Sequence, residues 1–328
     1  MIWLGVFFKE ADTLKCGLVI LNYNDYSQTE ELLSRIKDCP EIDNIVVVDN
    51  ASTNDSYSYL QKYADSKISV IQSGCNGGYS FGNNIGARYL IEHFHPDIIG
   101  IANPDVIFDG SLVRRIKDVF AENPDYAVLT GLQTNKDGKI GSHAFWENFR
   151  TPGEVCRSIL WDVFVKPFVN IRKKPSRYNI YLNSVRNSSQ ILHEVWAVEG
   201  SLFFVRAEDF VNAGMFDERV FLYFEEDILA FKLHKSGRKI GVVNDTAFIH
   251  QHASPDSDPI KRLDAGMRYI KRSEHSLKHY FCNYVTDSRI WHVLFSCLQF
   301  LRWAKAETLY IIRKAVYNIK KIITPRNI

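Results

Sequence analysis

An α/β fold, with a parallel sheet flanked by helices, is what this sequence predicts. Short β-type apolar runs alternate with amphipathic stretches through its first half, the pattern of strands joined by crossover helices. At 328 residues and 46% hydrophobic content the chain can bury a full core, so one large domain, or one domain with an appendage, is expected. Polar residues replace ordinary turn filler at the ends of three of the first four runs, and chemistry in such sheets gathers outside the carboxyl ends of the strands.

Cys16–Asn22 (CGLVILN) is the first strand, closed by Asn22-Tyr23-Asn24, and residues 29–37 are the first helix. The run 45–48 is a second strand ending at Asp49-Asn50, followed by a helical stretch over 55–63. Residues 67–72 make a third strand. A glycine-rich turn then leads into a helix over 83–93, and 98–102 is a fourth strand ending at Asn103-Pro104-Asp105. From 150 to 192 the pattern gives way to basic and aromatic residues with Pro152, Pro167 and Pro175, expected to be a mobile or partner-facing insertion. Order returns at 194–205 as a strand pair or strand-turn element. A charged helix follows over 225–236, stopped by Gly237, and then a strand at 239–243.

Forty basic residues face 38 acidic ones, a net charge of +2, so charge balance gives no argument for a nucleic-acid partner. Six cysteines without CxxC spacing, in a chain too large to need staples, read as reduced thiols of a cytoplasmic protein. Lys9, Glu10 and Asp12 interrupt the apolar start, so residues 1–14 are expected to be a lead-in, not a secretory signal. No window approaches the roughly 20 apolar residues that a membrane-spanning helix requires.

The Asp49 carboxylate, at the end of a buried strand, can accept the imide N–H of uracil or thymine; the ordinary alternative is an Asp-Asn turn leading into a helix cap. Residues 76–86 read NGGYSFGNNIG. Such a loop, with Asn76, Gly77 and Asn84, lets backbone approach a nucleotide whose charge the following helix N-terminus would favour. Its spacing is not that of a dinucleotide fingerprint. Asn103 and Asp105 offer an amide oxygen and a carboxylate on one rigid turn, and hard cations such as Mg²⁺ or Mn²⁺ take oxygen ligands that they share with substrate phosphates. Glu225-Glu226-Asp227 opens a helix behind an apolar run. Acids in a first turn are usually surface charge matching the dipole, but a desolvated carboxylate there has a raised pKa and serves as a general base toward a hydroxyl. His250, with His252 two residues on, can complete a metal site with Asp105.

In order, the strings VILNYN (19–24), VVDNAST (47–53), NGGYSFGNNIG (76–86), NPDV (103–106), GSLFFVR (200–206) and GMFDERVFLYFEED (214–227), with His250 closing the set, resemble glycosyltransferase family 2, in particular its rhamnosyltransferase-like branch in bacterial polysaccharide synthesis. The resemblance covers about 15–254 and implies a GT-A fold. A nucleotide-sugar half (15–106) would join an acceptor half (107–255) in one catalytic domain, with 256–328 as a helical tail. It implies that Leu21, Asn22 and Asp49 contact the donor nucleotide, that Asn103-Pro104-Asp105 stands for the D-x-D metal motif with Asp105 as its main carboxylate, and that His250 ligates the metal or contacts diphosphate. The base motif falls on Glu225-Glu226-Asp227, leaving Glu226 and Asp227 both as candidates.

The expected activity is inverting transfer from a UDP- or dTDP-sugar to a saccharide or lipid-linked glycan. A nucleotidyltransferase would want a glycine-rich, basic loop after the first strand, where this chain has Asn22-Tyr23-Asn24-Asp25. A GT-A-fold binding module without chemistry is the other rival, and the intact acidic set argues against it. In the tail, apolar residues from Trp291 to Ile323 recur near helical spacing among Arg302, Lys305, Arg313, Lys314, Lys320 and Lys321, opposed only by Glu307. Such a basic amphipathic helix pair suits the anionic inner face of the plasma membrane, or packs on the catalytic domain or a second subunit.

Overall fold

The computed structural model of the chain describes residues 14–139, 144–165, 177–251 and 257–323. Pro167, Pro175, His252 and nearly all of the lead-in lie outside them. In chain order the elements are β1 (Cys16–Asn22), α1 (Tyr26–Ile36), β2 (Asn44–Asp49), α2 (Ser56–Leu60), β3 (Ile68–Gln72), α3 (Gly78–Phe94), β4 (Ile98–Ala102), β5 (Val106–Ile107), α4 (Gly110–Glu122) and β6 (Tyr126–Thr134). There follow β7 (Phe145–Trp146), α5 (Pro152–Leu160), α6 (Arg177–Arg186), β8 (Leu192–Val195), β9 (Ala197–Val198), β10 (Leu202–Arg206), α7 (Ala207–Asn212), α8 (Glu225–Lys235), β11 (Lys239–His250), α9 (Pro259–Tyr280) and α10 (Arg289–Ile323).

The main sheet runs β3-β2-β1-β4-β10-β6-β11-β5, with β8 also on β11. Strands β3, β2, β1 and β4 are parallel, β10 is antiparallel to both β4 and β6, and β6 is parallel to β11. With both faces covered, the central strands are near-continuous apolar runs. Helices α1, α2 and α4 cover one face, where Leu33, Leu60 and Ile116 meet Leu18, Ile20 and Val47. On the other, Ala87 and Leu90 of α3 and Leu229 and Leu233 of α8 meet Val19, Val46 and Ile99. Asp25 caps α1 by accepting the Gln28 N–H, and Asp109 caps α4 through Ser111.

Three expectations change. The glycine-rich stretch is largely helix, because α3 begins at Gly78 and not near residue 83. Its glycines serve helix–sheet contact: a Cβ at Gly82 would stand 2.3 Å from Leu21 Cδ1, and one at Gly86 2.5 Å from Val19 Cγ1. Secondly, the sheet contains β6, a buried central strand that the sequence reading passed over, and β11 continues past 243 to His250 across a register shift. Thirdly, the segment 150–192 contains α5 and α6. A Thr151–Glu154 capping box starts α5, which buries Val155, Cys156 and Ile159 against Tyr280 and Phe281 and against Phe295 and Leu298 of α10.

The tail is therefore seated on the sheet domain along one side. Asp217 fixes part of that seat: its carboxylate accepts from Arg219 (2.7 and 2.8 Å), Tyr284 (2.6 Å) and His279 (2.9 Å). Burial works against its charge, but these hydrogen bonds prevail and hold it well below the usual carboxylate range.

Candidate functional site

The strand directions bring the ends of β1, β2, β4, β6 and β11 and the start of β10 to one edge. The predicted residues divide there into two groups.

On the β1–β2 side the polar groups are buried and satisfied by one another. Asn22 and Asp49 are both fully buried, and Asn22 Nδ2 donates to Asp49 Oδ1 at 2.8 Å while the Ser52 amide donates to Asp49 Oδ2 at 3.1 Å. Asn50 donates to Asn76 Oδ1 and the Gly78 carbonyl. Ala51, next in the turn, has φ of +55°, a conformation unfavourable for a residue with a Cβ. Gly77 precedes α3 as its N-cap, and Leu21 packs against α3. Asn84 is turned away from this cluster. It lies under the Gly214–Phe216 bend, exchanging hydrogen bonds with Phe216 N and O (3.1 and 3.0 Å) and donating to Glu218.

At the β4–β10–β11 end the groups are acidic and less completely paired. Asn103 N donates to the Ser201 carbonyl, and β11 pairs with β5 so that His250 lies opposite Val106. This brings His250 Nε2 to 3.2 Å from Asp105 Oδ1. His250 Nδ1 is 2.8 Å from Gln133 Nε2 and 3.8 Å from Glu199 Oε2. Burial opposes the imidazolium, but Asp105 and Glu199 outweigh it and raise its pKa to about 9. A cation entering here must displace that proton.

Glu199 begins the turn that joins this pair to the predicted base. In that turn the Gly200 N–H donates to Glu226 Oε1 at 2.9 Å, and the Gly200 carbonyl accepts the Tyr79 hydroxyl at 2.5 Å. Two successive aromatic residues, Tyr223 and Phe224, have φ of +73° and +68° immediately before α8. This strained turn sets Glu225, Glu226 and Asp227 at the helix start. Burial, with Asp227 and Glu199 nearby, raises Glu226 to about 7. Burial also raises Asp227 to about 6 against the pull of Arg150, and pushes Glu225 well above the carboxylate range. Glu225 is 3% exposed, and its Oε2 has no hydrogen-bond partner.

Glu226 and Asp227 open into a cleft of about 980 Å³, whose far wall is built by α9 and α10. Glu199, Tyr223 and Arg150 line it near the acids, with Arg262, Arg302 and Arg313 opposite. The arrangement offers a poised carboxylate base beside a cleft of substrate size, next to a carboxylate–imidazole pair.

Sequence reasoning missed Glu199, Gln133, Tyr79 and the cationic wall. Glu199 stands one residue before the string that begins at Gly200, and that adjacency was the available signal. Gln133 lies on the unrecognised β6. Nothing in the spacing of Tyr79 marks its reach to Gly200, which depends on the close seat of α3.

Residues 18–176 match the family model described as Glycosyl transferase family 2. The low-salt glycan biosynthesis hexosyltransferase Agl10 of Haloferax volcanii is 24% identical over 234 residues, 71% of this chain and 66% of its own length. This chain thus spans just under two thirds of that relative. The rhamnosyltransferase WbbL of Escherichia coli is 26% identical over 238 residues, 71% of this chain and 82% of its own. Among solved structures, GalNAc-T7 with UDP, GalNAc and Mn²⁺ shares the fold at a TM-score of 0.53 and 14% identity, over 95% of this chain and 58% of that one. With the strand order and the matched strings, these findings make the chain similar to glycosyl transferase family 2 over residues 18–176, on a GT-A-type fold.

Proposed function

We propose that the protein is an inverting, metal-dependent glycosyltransferase that uses a UDP- or dTDP-sugar and a saccharide or lipid-linked glycan acceptor. The observation that carries this reading is the turn 199–200, where Glu199 reaches toward His250 and the Gly200 amide holds Glu226. It joins a site suited to a diphosphate-bound cation to a carboxylate suited to a hydroxyl. The hexosyl- and rhamnosyltransferase relatives support the class of reaction.

Among the described residues no group of three or more His, Cys, Asp or Glu could hold a metal unaided. That suits a cation shared with substrate, since Mg²⁺ is commonly bound by one or two protein groups together with phosphate oxygens. Asp105 and His250 are the two protein donors, and Glu199 Oε2 is a buried oxygen without a hydrogen-bond partner beside them. Mg²⁺ or Mn²⁺ bound there would supply Lewis-acid neutralisation of the diphosphate.

The chain's own residues do the rest. In the half 15–106, Leu21, Asn22, Asp49, Asn76, Gly77 and Asn103 form the donor-nucleotide side, with Asp49 reading the pyrimidine once the 51–53 turn opens; Asn84 supports it by holding α3 to the 214–216 bend. In the half 107–255, Glu226 accepts the proton of the acceptor hydroxyl. The oxygen then bonds to the anomeric carbon from the face opposite the diphosphate, which departs with the electron pair of the broken C–O bond. Burial, with Asp227 and Glu199 nearby, keeps the base's affinity for a proton high.

Calorimetric titration of UDP, dTDP, GDP and ADP, with and without Mn²⁺, tests the reading. Metal-dependent binding of UDP or dTDP, absent for the purine nucleotides and weakened in Asp105→Ala, is expected. If no nucleotide binds under either condition, the donor site is wrong.

A further inference from the structure

Glu226 is held in place by very little. Among the described residues, the Gly200 N–H is the only hydrogen-bond donor that another residue offers to its carboxylate, so the position of Glu226 Oε1 follows the position of the Gly200 backbone. The chain is tied on both sides of that residue: Glu199 N donates to the Ala144 carbonyl at 3.1 Å, and the Ser201 carbonyl accepts from Asn103 N at 2.8 Å. Between those ties Gly200 is gripped by Tyr79, whose hydroxyl donates to its carbonyl at 2.5 Å. The fit has no slack. A Cβ added at Gly200 would stand 2.6 Å from Glu226 Oε1 and 2.9 Å from Tyr79 Oη, inside ordinary van der Waals contact with both.

Tyr79 is seated without help from its hydroxyl. Gly78, at φ of +90°, lets the start of α3 come up against residue 221, where a Cβ would stand 2.1 Å from the Phe221 carbonyl oxygen. Tyr79 N donates to that same oxygen at 2.8 Å, and the ring packs edge-on against Phe216 with centroids 5.6 Å apart. Burial, with Glu226, Glu225 and Glu199 nearby, pushes the phenol well above its ordinary pKa, so the hydroxyl stays a donor. A hydroxyl that served only to seat α3 would repeat what the amide and the ring already do.

We propose that Tyr79 is the positioning residue of Glu226, holding the carboxylate through Gly200 at the point where it meets the acceptor hydroxyl. The inference rests on the reading of Glu226 as the base. It adds to the reaction a residue that lies outside the acidic run, on a helix of the half 15–106. The first turn of that helix also carries Gly78, whose carbonyl accepts from Asn50 at 3.1 Å. One turn of α3 thus touches the Asp49–Asn50 cluster on one side and, through Gly200, the base on the other.

Hydrolysis of UDP- and dTDP-sugars, with water standing for the acceptor, is the test, run on the wild-type chain, Tyr79→Phe, Glu226→Gln and the double variant. Circular dichroism at the assay temperature reports that each is folded. Tyr79→Phe is expected to lower kcat about tenfold with the donor KM within about twofold of wild type, because a displaced carboxylate meets the hydroxyl poorly while the donor site is untouched. In the Glu226→Gln background the same change is expected to cost nothing further, since the two residues act as one unit. Gly200→Ala, whose Cβ would press on Glu226 Oε1, should reproduce both results and replaces Tyr79→Phe if that variant does not fold. The proposal is overturned if Tyr79→Phe keeps the wild-type kcat, if it raises the donor KM instead, or if it slows Glu226→Gln by the factor by which it slows the wild type. A normal rate in Glu226→Gln, or no hydrolysis of any donor, removes the reading of Glu226 and this inference with it; a slow Glu226→Gln beside a normal Tyr79→Phe removes the inference alone.

Discussion

The two ends of the candidate-site edge handle burial in opposite ways. At the β1–β2 end, Asn22, Asp49 and Asn50 are buried and hydrogen-bonded to Ser52, Asn76 and Gly78. At the β10–α8 end, Glu225 and Asp227 are as deeply buried, but Glu225 Oε2 has no partner and all three acids are pushed upward in pKa. A satisfied buried network rigidifies, whereas an unsatisfied charge stores free energy that only a proton or a substrate can release. The first end is built to hold a shape and the second to change protonation state. Substitutions should separate them: losses of stability at one end, losses of turnover at the other.

The largest effect is expected from Glu226→Gln, with turnover down about 10²–10⁴-fold and UDP affinity retained, measured by initial rates beside calorimetry. If Asp227→Asn shows that loss and Glu226→Gln does not, the proton goes to Asp227. The pH profile sharpens the point. With Glu226 raised to about 7, the ionised base accumulates as pH rises, so kcat/KM should climb through neutrality and then level off; a flat profile over that interval would contradict the assignment. Stability has the opposite sign. A carboxylate raised in the folded state contributes fully below its ordinary pKa, and that contribution is lost as pH rises through about 7.

Asp105→Ala should come next, with roughly a 10- to 100-fold loss of metal-dependent UDP binding and turnover together. Loss of turnover with metal dependence of binding intact would move the cation elsewhere. Asp49→Asn tests the other end. Because Asp49 accepts from both Asn22 and Ser52, about 1–3 kcal/mol of stability should be lost in denaturant titrations, together with the preference for UDP over GDP. An unchanged preference would make Asp49 scaffold alone. The smallest effect is Gly86→Ala, about 1–3 kcal/mol from crowding Val19 and Val48, with turnover per folded molecule unaltered.

Much of this was legible in the sequence where local pattern and tertiary role agree. The β1 and β4 boundaries follow from unbroken apolar runs with polar ends, and Glu225-Glu226-Asp227 is the start of α8 as expected. Glycine misled, since 78–82 read as a turn before the helix and is its first part; its missing side chains answer to Leu21 and Val19, distant in sequence. The strand β6 was missed because Thr130, Gly131 and Gln133 interrupt its apolar run, although Thr130 is buried with its hydroxyl on the Leu202 carbonyl. Glu199 acquires meaning only from β10 running opposite to β4, which returns the chain to the edge where Asp105 and His250 stand.

Asp217 bears on how such a protein is inherited. Its partners Arg219, His279 and Tyr284 come from both the sheet domain and the tail, so a gene cut between them would leave a buried carboxylate facing one guanidinium in place of a complete cage. Recombination that exchanged tails among related enzymes would have to carry the histidine and tyrosine along, or replace the aspartate in the same step. The tail thus belongs with the sheet domain as a lineage, tied to it by a buried residue outside the candidate site.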